Sequence, residues 1–261
     1  MQMKQPNLIA RNALLIYFVV SIGCSALIAW VSFATGNENI SILIPLSPSI
    51  LAILVTVLGF GRHGLSEMFR GRILGRLNVR WSLIALLLVP IVAAGALLTH
   101  SFFGGPPPGL RTTQLMPQVI VILLISLGEE IGWRGFALPR LQKRFSALNA
   151  SLVLGLVWGF WHFPGYLIGT GVPMDMPFAV FLLWVVLATI LITWVYNNTG
   201  GSILSAILMH SAANATFNYL PLLPEFTGQM TTFIIFLGLI FVVTVFVVVQ
   251  ADSLNKKRVW N

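Results

Sequence analysis

Three short stretches of this sequence put groups capable of acid–base chemistry inside apolar runs. The first is Glu129-Glu130-Ile131-Gly132-Trp133-Arg134, the second holds Trp158 and His162, and the third holds His210 and Asn214. A charge near the centre of a bilayer costs at least about 2.5–3.5 kcal/mol, so such residues need partners, water or a task. Helical spacing sorts them. Glu130 and Arg134 are four apart with the carboxylate on the N-terminal side, the better order for an ion pair. Glu129 is turned by about 100° from Glu130 at 3.6 residues per turn. It shares its face with Trp133, which leaves its carboxylate for another helix. Glu129 is therefore the candidate base and Glu130 the candidate brace. Trp158 with His162, and His210 with Asn214, are also four apart, so each pair lies on one stripe.

If Glu129, His162, His210 and Asn214 face one cavity, a carboxylate and an imidazole can take a proton from water, which then attacks a peptide carbonyl. The second imidazole and the amide can donate hydrogen bonds to the developing oxyanion. The same set offers His162, His210 and Glu129 as ligands for a divalent metal such as zinc, with one position open for water. Plainer uses exist. A lone intramembrane histidine is more often a packing hydrogen-bonder, a Glu–Arg pair is usually a structural bridge, and a proton relay in a transporter uses the same groups. The residues alone leave hydrolase and relay both open. No H-E-x-x-H occurs at any of the four histidines, so the usual zincin arrangement is absent. Asp175 and Asp252 fall outside the apolar runs, so there is no intramembrane aspartyl pair, and no G-x-S-x-G elbow is present. His63 and His100 sit at or near span ends and are assigned no role.

The elements that must position these groups are membrane helices. Of 261 residues, 57% are hydrophobic and 8% charged, against roughly 25% charged in soluble domains. A mean hydropathy of +0.91 agrees. Eight predicted spans cover about 13–34, 40–60, 82–99, 118–138, 148–168, 178–196, 202–220 and 231–250. Lipid leaves no backbone polar group unpaired, and the runs are too long for barrel strands, so they are helices. Glycine and proline mark the joints at Gly104 to Pro108, Gly171-Val172-Pro173 and Asn198 to Gly201. The run from Ala13 to Ala34 exceeds a signal-peptide core and reads as a retained anchor. Cys24 reads as a small packing residue.

Thirteen of the fifteen Lys and Arg residues flank apolar runs. They are Lys4 and Arg11; Arg62, Arg70, Arg72, Arg76 and Arg80; Arg140, Lys143 and Arg144; and Lys256, Lys257 and Arg258. An eight-span threading puts all thirteen on one face, which the charge rule makes cytoplasmic, with both termini there. A seven-span threading scatters them. The net charge of +8 is thus topological, and nucleic-acid binding is a poor reading. The expectation is an all-α, multi-pass protein of the inner or plasma membrane.

At these residues the sequence resembles the CPBP family of intramembrane proteases, which includes type II CAAX prenyl endopeptidases and bacteriocin-processing or immunity proteins. The family pattern is E-E-x-x-x-R, aromatic-x-x-x-H and H-x-x-x-N on three membrane helices. Here these are Glu129-Glu130…Arg134, Trp158…His162 and His210…Asn214, with Trp158 where many relatives have Phe. The resemblance implies that Glu129 and His162 activate water, that His210 and Asn214 stabilise the oxyanion, and that Glu130, Arg134 and Trp158 support them. It implies either a metal, held by His162, His210 and Glu129, or a metal-free glutamate mechanism. It divides the chain into helices one to three (1–117), a catalytic core (118–220), and a last helix with a basic tail (221–261). The implied partner is a hydrophobic peptide or membrane-protein tail in the bilayer. A non-proteolytic immunity or scaffold protein and a proton-coupled transporter are the alternatives.

Overall fold

Three polar side chains open three of the helices that matter. Asn78 accepts from the Trp81 N–H at 3.1 Å, Ser146 from Asn149 at 3.2 Å and Ser202 from Ser205 at 3.2 Å. Each satisfies a first-turn donor that lipid cannot. The computed structural model describes residues 7–70, 73–111, 115–173, 175–251 and 254. Lys4, Arg72, Asp252, Lys256, Lys257 and Arg258 lie outside the described residues.

Among the described residues there are no strands and eight long helices: α1 (Ala13–Thr35), α2 (Leu43–Phe69), α3 (Val79–Phe102), α4 (Leu115–Glu130), α5 (Ala147–Trp161), α6 (Phe178–Asn198), α7 (Ile203–Tyr219) and α8 (Thr231–Gln250). Each predicted span falls on one of them. Five segments are long and apolar enough to cross a membrane: α1, α2 with its lead-in turn, α3, α6 and α8. The other three, α4, α5 and α7, are 16, 15 and 17 residues long, and α4 continues as π-helix and α-helix through residues 131–142. These three, with the turn after α4 and the C-cap of α5, carry every candidate site residue.

Their interiors differ from the predicted uninterrupted helices at three places. Span four does not run as an α-helix to 138. It passes into a π-helical turn, Ile131–Ala137, and then a short α-helix, Leu138–Gln142. Span five does not run to 168. α5 ends at Trp161 with His162 as its C-cap, and a separate helix, Phe163–Leu167, begins with Pro164 in its first turn, where proline's missing N–H is harmless. Span two runs on past 60 to Phe69, with a break at Gly61, whose φ of 63° leaves the helical region and suits glycine.

The outside of the bundle is large and apolar, the inside small or polar. On α1, Leu15, Val19, Trp30 and Phe33 are exposed, whereas Ser21, Ser25, Ala29 and Ser32 are buried. Lipid is as apolar as leucine, so close packing rather than water exclusion joins such helices, and small residues allow it. α7 packs against α3, α4 and α6, while α5 packs on α6 and α2 packs on α4 and its π turn.

Connections sort onto two ends of the bundle. The Arg76 N–H donates to Thr199 O at 2.7 Å and the Leu204 N–H to Ile73 O at 3.0 Å, joining the α2–α3 and α6–α7 connections. At the other end the Arg111 N–H donates to Tyr219 O at 2.9 Å, and its guanidinium lies 3.3 Å from the Phe226 ring centre.

Candidate active site

α4 delivers two adjacent carboxylates in its last turn, and the π turn follows at once. Both are buried, Glu129 at 4% exposed and Glu130 not exposed at all. The close approach of α4 to α2 has a sequence cause. A Cβ on Gly128 would lie 2.6 Å from Pro45 O, and one on Gly132 would lie 2.4 Å from the Tyr17 hydroxyl and 2.6 Å from Pro48 O. Only glycine lets the backbones meet at these distances.

The expected ion pair is present. Arg134 Nη1 donates to Glu130 Oε1 at 2.6 Å, with both side chains fully buried. The same oxygen lies 2.9 Å from His210 Nδ1, the contact of an N–H donor with a carboxylate. Glu130 therefore joins α7 to α4 as well as holding Arg134, a link that helical spacing within one segment does not contain.

Glu129 reaches another helix, as its turn away from Glu130 requires. Its partner is Trp158 on α5, whose indole Nε1–H donates to Glu129 Oε2 at 2.7 Å. The Trp158 ring is packed from two sides, by the Arg134 guanidinium 4.6 Å from its centre and by His210 edge-on with ring centres 5.2 Å apart. Trp158 was expected to support the site. Its role as hydrogen-bond donor to Glu129 was not expected, although its departure from the usual Phe was the available signal, since Phe has no donor.

His162 joins the group less directly. Its Nδ1 lies 2.8 Å from Trp158 O. A carbonyl only accepts, so Nδ1 carries the hydrogen and Nε2 of the neutral ring keeps its lone pair. The ring centre is 5.8 Å from Trp158 and is boxed edge-on by Trp161 at 4.7 Å and Phe181 at 5.0 Å. Asn214 stands one turn beyond His210 on α7, half-buried, and its side-chain amide has no hydrogen-bond partner among the described residues; its backbone carbonyl accepts from Asn218. Thus direct contacts unite Glu129, Glu130, Arg134, Trp158 and His210, with His162 beside Trp158 and Asn214 next along α7.

Among the described residues no three His, Cys, Asp or Glu side chains converge as a metal-ligand group. His210 Nδ1 and His162 Nδ1 are both turned to protein oxygens, and Glu129 Oε2 is held by Trp158, so Nε2 of each ring and the other Glu129 oxygen are the atoms that would hold an ion. As placed, His162, His210 and Glu129 are not brought together as a ligand set.

The fold and site are those of a helical multi-pass membrane protein with two carboxylates, an arginine and an imidazole in contact inside the bundle. A family model described as Type II CAAX prenyl endopeptidase Rce1-like matches residues 111–216. A relative named CAAX prenyl protease 2, from Methanococcus maripaludis, is 27% identical over 204 residues, covering 71% of this chain and 75% of the relative. Over residues 111–216 the chain is thus similar to the Rce1-like type II CAAX prenyl endopeptidases, and its similarity along most of its length is to a membrane protease. The match spans all three motifs and leaves α1, α2, α3 and α8 outside it.

Proposed function

We propose that the chain hydrolyses peptide bonds of hydrophobic, membrane-associated peptides with water activated at Glu129. The observation that carries this reading is the pairing of the buried Glu129 carboxylate with a fixed indole donor, beside a separate buried Glu130–Arg134–His210 network. Held by Trp158 through Oε2, Glu129 takes a proton from water through its other oxygen as the water oxygen bonds to the peptide carbonyl carbon. In this reading Nε2 of His162, beside Trp158, is the second acceptor for that proton. The carbonyl oxygen becomes an oxyanion, and the Asn214 amide is a donor for it. His210, held through Nδ1 by Glu130, is the second group placed toward the oxyanion. As the carbon–nitrogen bond breaks, the proton passes to the leaving amine. No metal enters any step.

The basic end of the bundle is cytoplasmic in this reading, by the charge rule, in the cell membrane. The natural substrate is a hydrophobic peptide or membrane-protein tail. The test compares peptide termini in membrane fractions of cells carrying the wild type and Glu129→Gln. New termini that vanish in the variant support proteolysis and name the substrate. Identical termini at equal expression point to a non-proteolytic immunity or scaffold role instead.

A further inference from the structure

One cavity lies away from the hydrolytic site, at the basic end of the bundle. It holds about 250 Å³ between the start of α1, the end of α2 and the segment after the π turn. Arg11, Arg140, Lys143 and Arg144 line it, with Glu67 as the one carboxylate. That carboxylate lies 3.2 Å from His63. Arg140 is fixed in the wall: its Nη1 donates to Phe136 O at 2.9 Å and its guanidinium lies 3.7 Å from the Phe136 ring centre. Arg11 before α1, and Lys143 and Arg144 after the π turn, thus bring three further cations from two separate segments to one opening, where like charges repel one another.

Depth and the remaining walls say which anion. α1 begins at Ala13 and α2 ends at Phe69, so the opening stands where apolar helices leave the hydrocarbon and headgroups begin. Leu14 and Phe60 form an apolar side of the same cavity, and Phe60 is 38% exposed. A free phosphate has no use for that side, whereas a lipid runs its acyl chain along it. We propose that this cavity binds the phosphate headgroup of an anionic phospholipid, with Arg11, Lys143 and Arg144 as its donors and Arg140 as part of its wall. Basic pockets between membrane helices commonly take such headgroups.

Native mass spectrometry of the purified full chain in detergent, with phosphatidylglycerol or phosphatidylcholine added, tests this without any assay of proteolysis. The wild type retains one phosphatidylglycerol in preference to phosphatidylcholine. Arg11→Gln/Lys143→Gln/Arg144→Gln weakens that retention on the order of a hundredfold, with the melting temperature in phosphatidylcholine unchanged. Arg62→Gln/Arg70→Gln/Arg80→Gln removes the same charge outside the cavity and keeps the lipid. Equal retention of the two lipids by the wild type, undiminished retention in the cavity variant, or equal loss in both triple variants overturns the proposal. Displacement of the lipid by inorganic phosphate overturns it too, because the site then prefers a free anion.

Discussion

The indole Nε1–H of Trp158 donates to Glu129 Oε2 at 2.7 Å, linking α5 to α4 across 29 residues of sequence. A buried carboxylate held this way has one oxygen fixed and one left for water. Trp158→Phe keeps an aromatic ring and removes only the donor. A hydrogen bond to a charged group contributes about 1.5–3 kcal/mol, so kcat on a peptide substrate should fall on the order of 10–100-fold, with KM little changed. A variant with wild-type kcat would remove the indole from the positioning of Glu129.

The two adjacent carboxylates should fail in different ways. Glu130→Gln leaves Arg134 buried opposite a neutral amide and takes the charged acceptor from His210. Removing one partner of a buried pair costs roughly 3–5 kcal/mol, so the variant should lose most of its monodisperse folded yield in detergent chromatography. Glu129→Gln should be recovered at wild-type yield and be inactive. The opposite pattern would exchange the two roles.

Gly132 should not tolerate a methyl group. Its added Cβ would meet the Tyr17 hydroxyl and Pro48 O, and overpacking of this kind costs about 1–3 kcal/mol. Gly132→Ala should lower the melting temperature clearly. Gly23→Ala, on α1 with nothing within 4 Å of the new Cβ, should leave it within error. Equal shifts in the two variants would mean that α2 and α4 move apart without penalty.

Chelators should leave the reaction unchanged, because His162, His210 and Glu129 do not converge as ligands. Elemental analysis of active protein treated with a strong chelator is expected to find no stoichiometric zinc. Zinc retained one to one in the wild type and lost in His162→Ala would show that the donors rearrange around an ion.

The class of this protein could be read from its sequence because lipid imposes it. Few charges and long apolar runs require helices, and period 3.6 then decides which neighbours within one helix share a face. That logic paired Glu130 with Arg134 and sent Glu129 toward another helix. It did not locate the π turn at Ile131–Ala137, which adds a residue to the turn and follows no apolar period. Nor did it locate the end of α5 at His162, although Pro164 stood two residues beyond.

Partners across helices were decided only by the tertiary structure. The Trp158 N–H on Glu129 and His210 on Glu130 depend on how far each short helix is rotated and how deep it sits. Those quantities come from packing: from glycines at 128 and 132 that let α4 lie against α2, and from the burial of α7 among α3, α4 and α6. The sequence determined which groups must find partners inside the membrane. Contacts between segments far apart in the chain determined which partners they found, because hydrophobic periodicity carries no information about the angle at which one helix faces another.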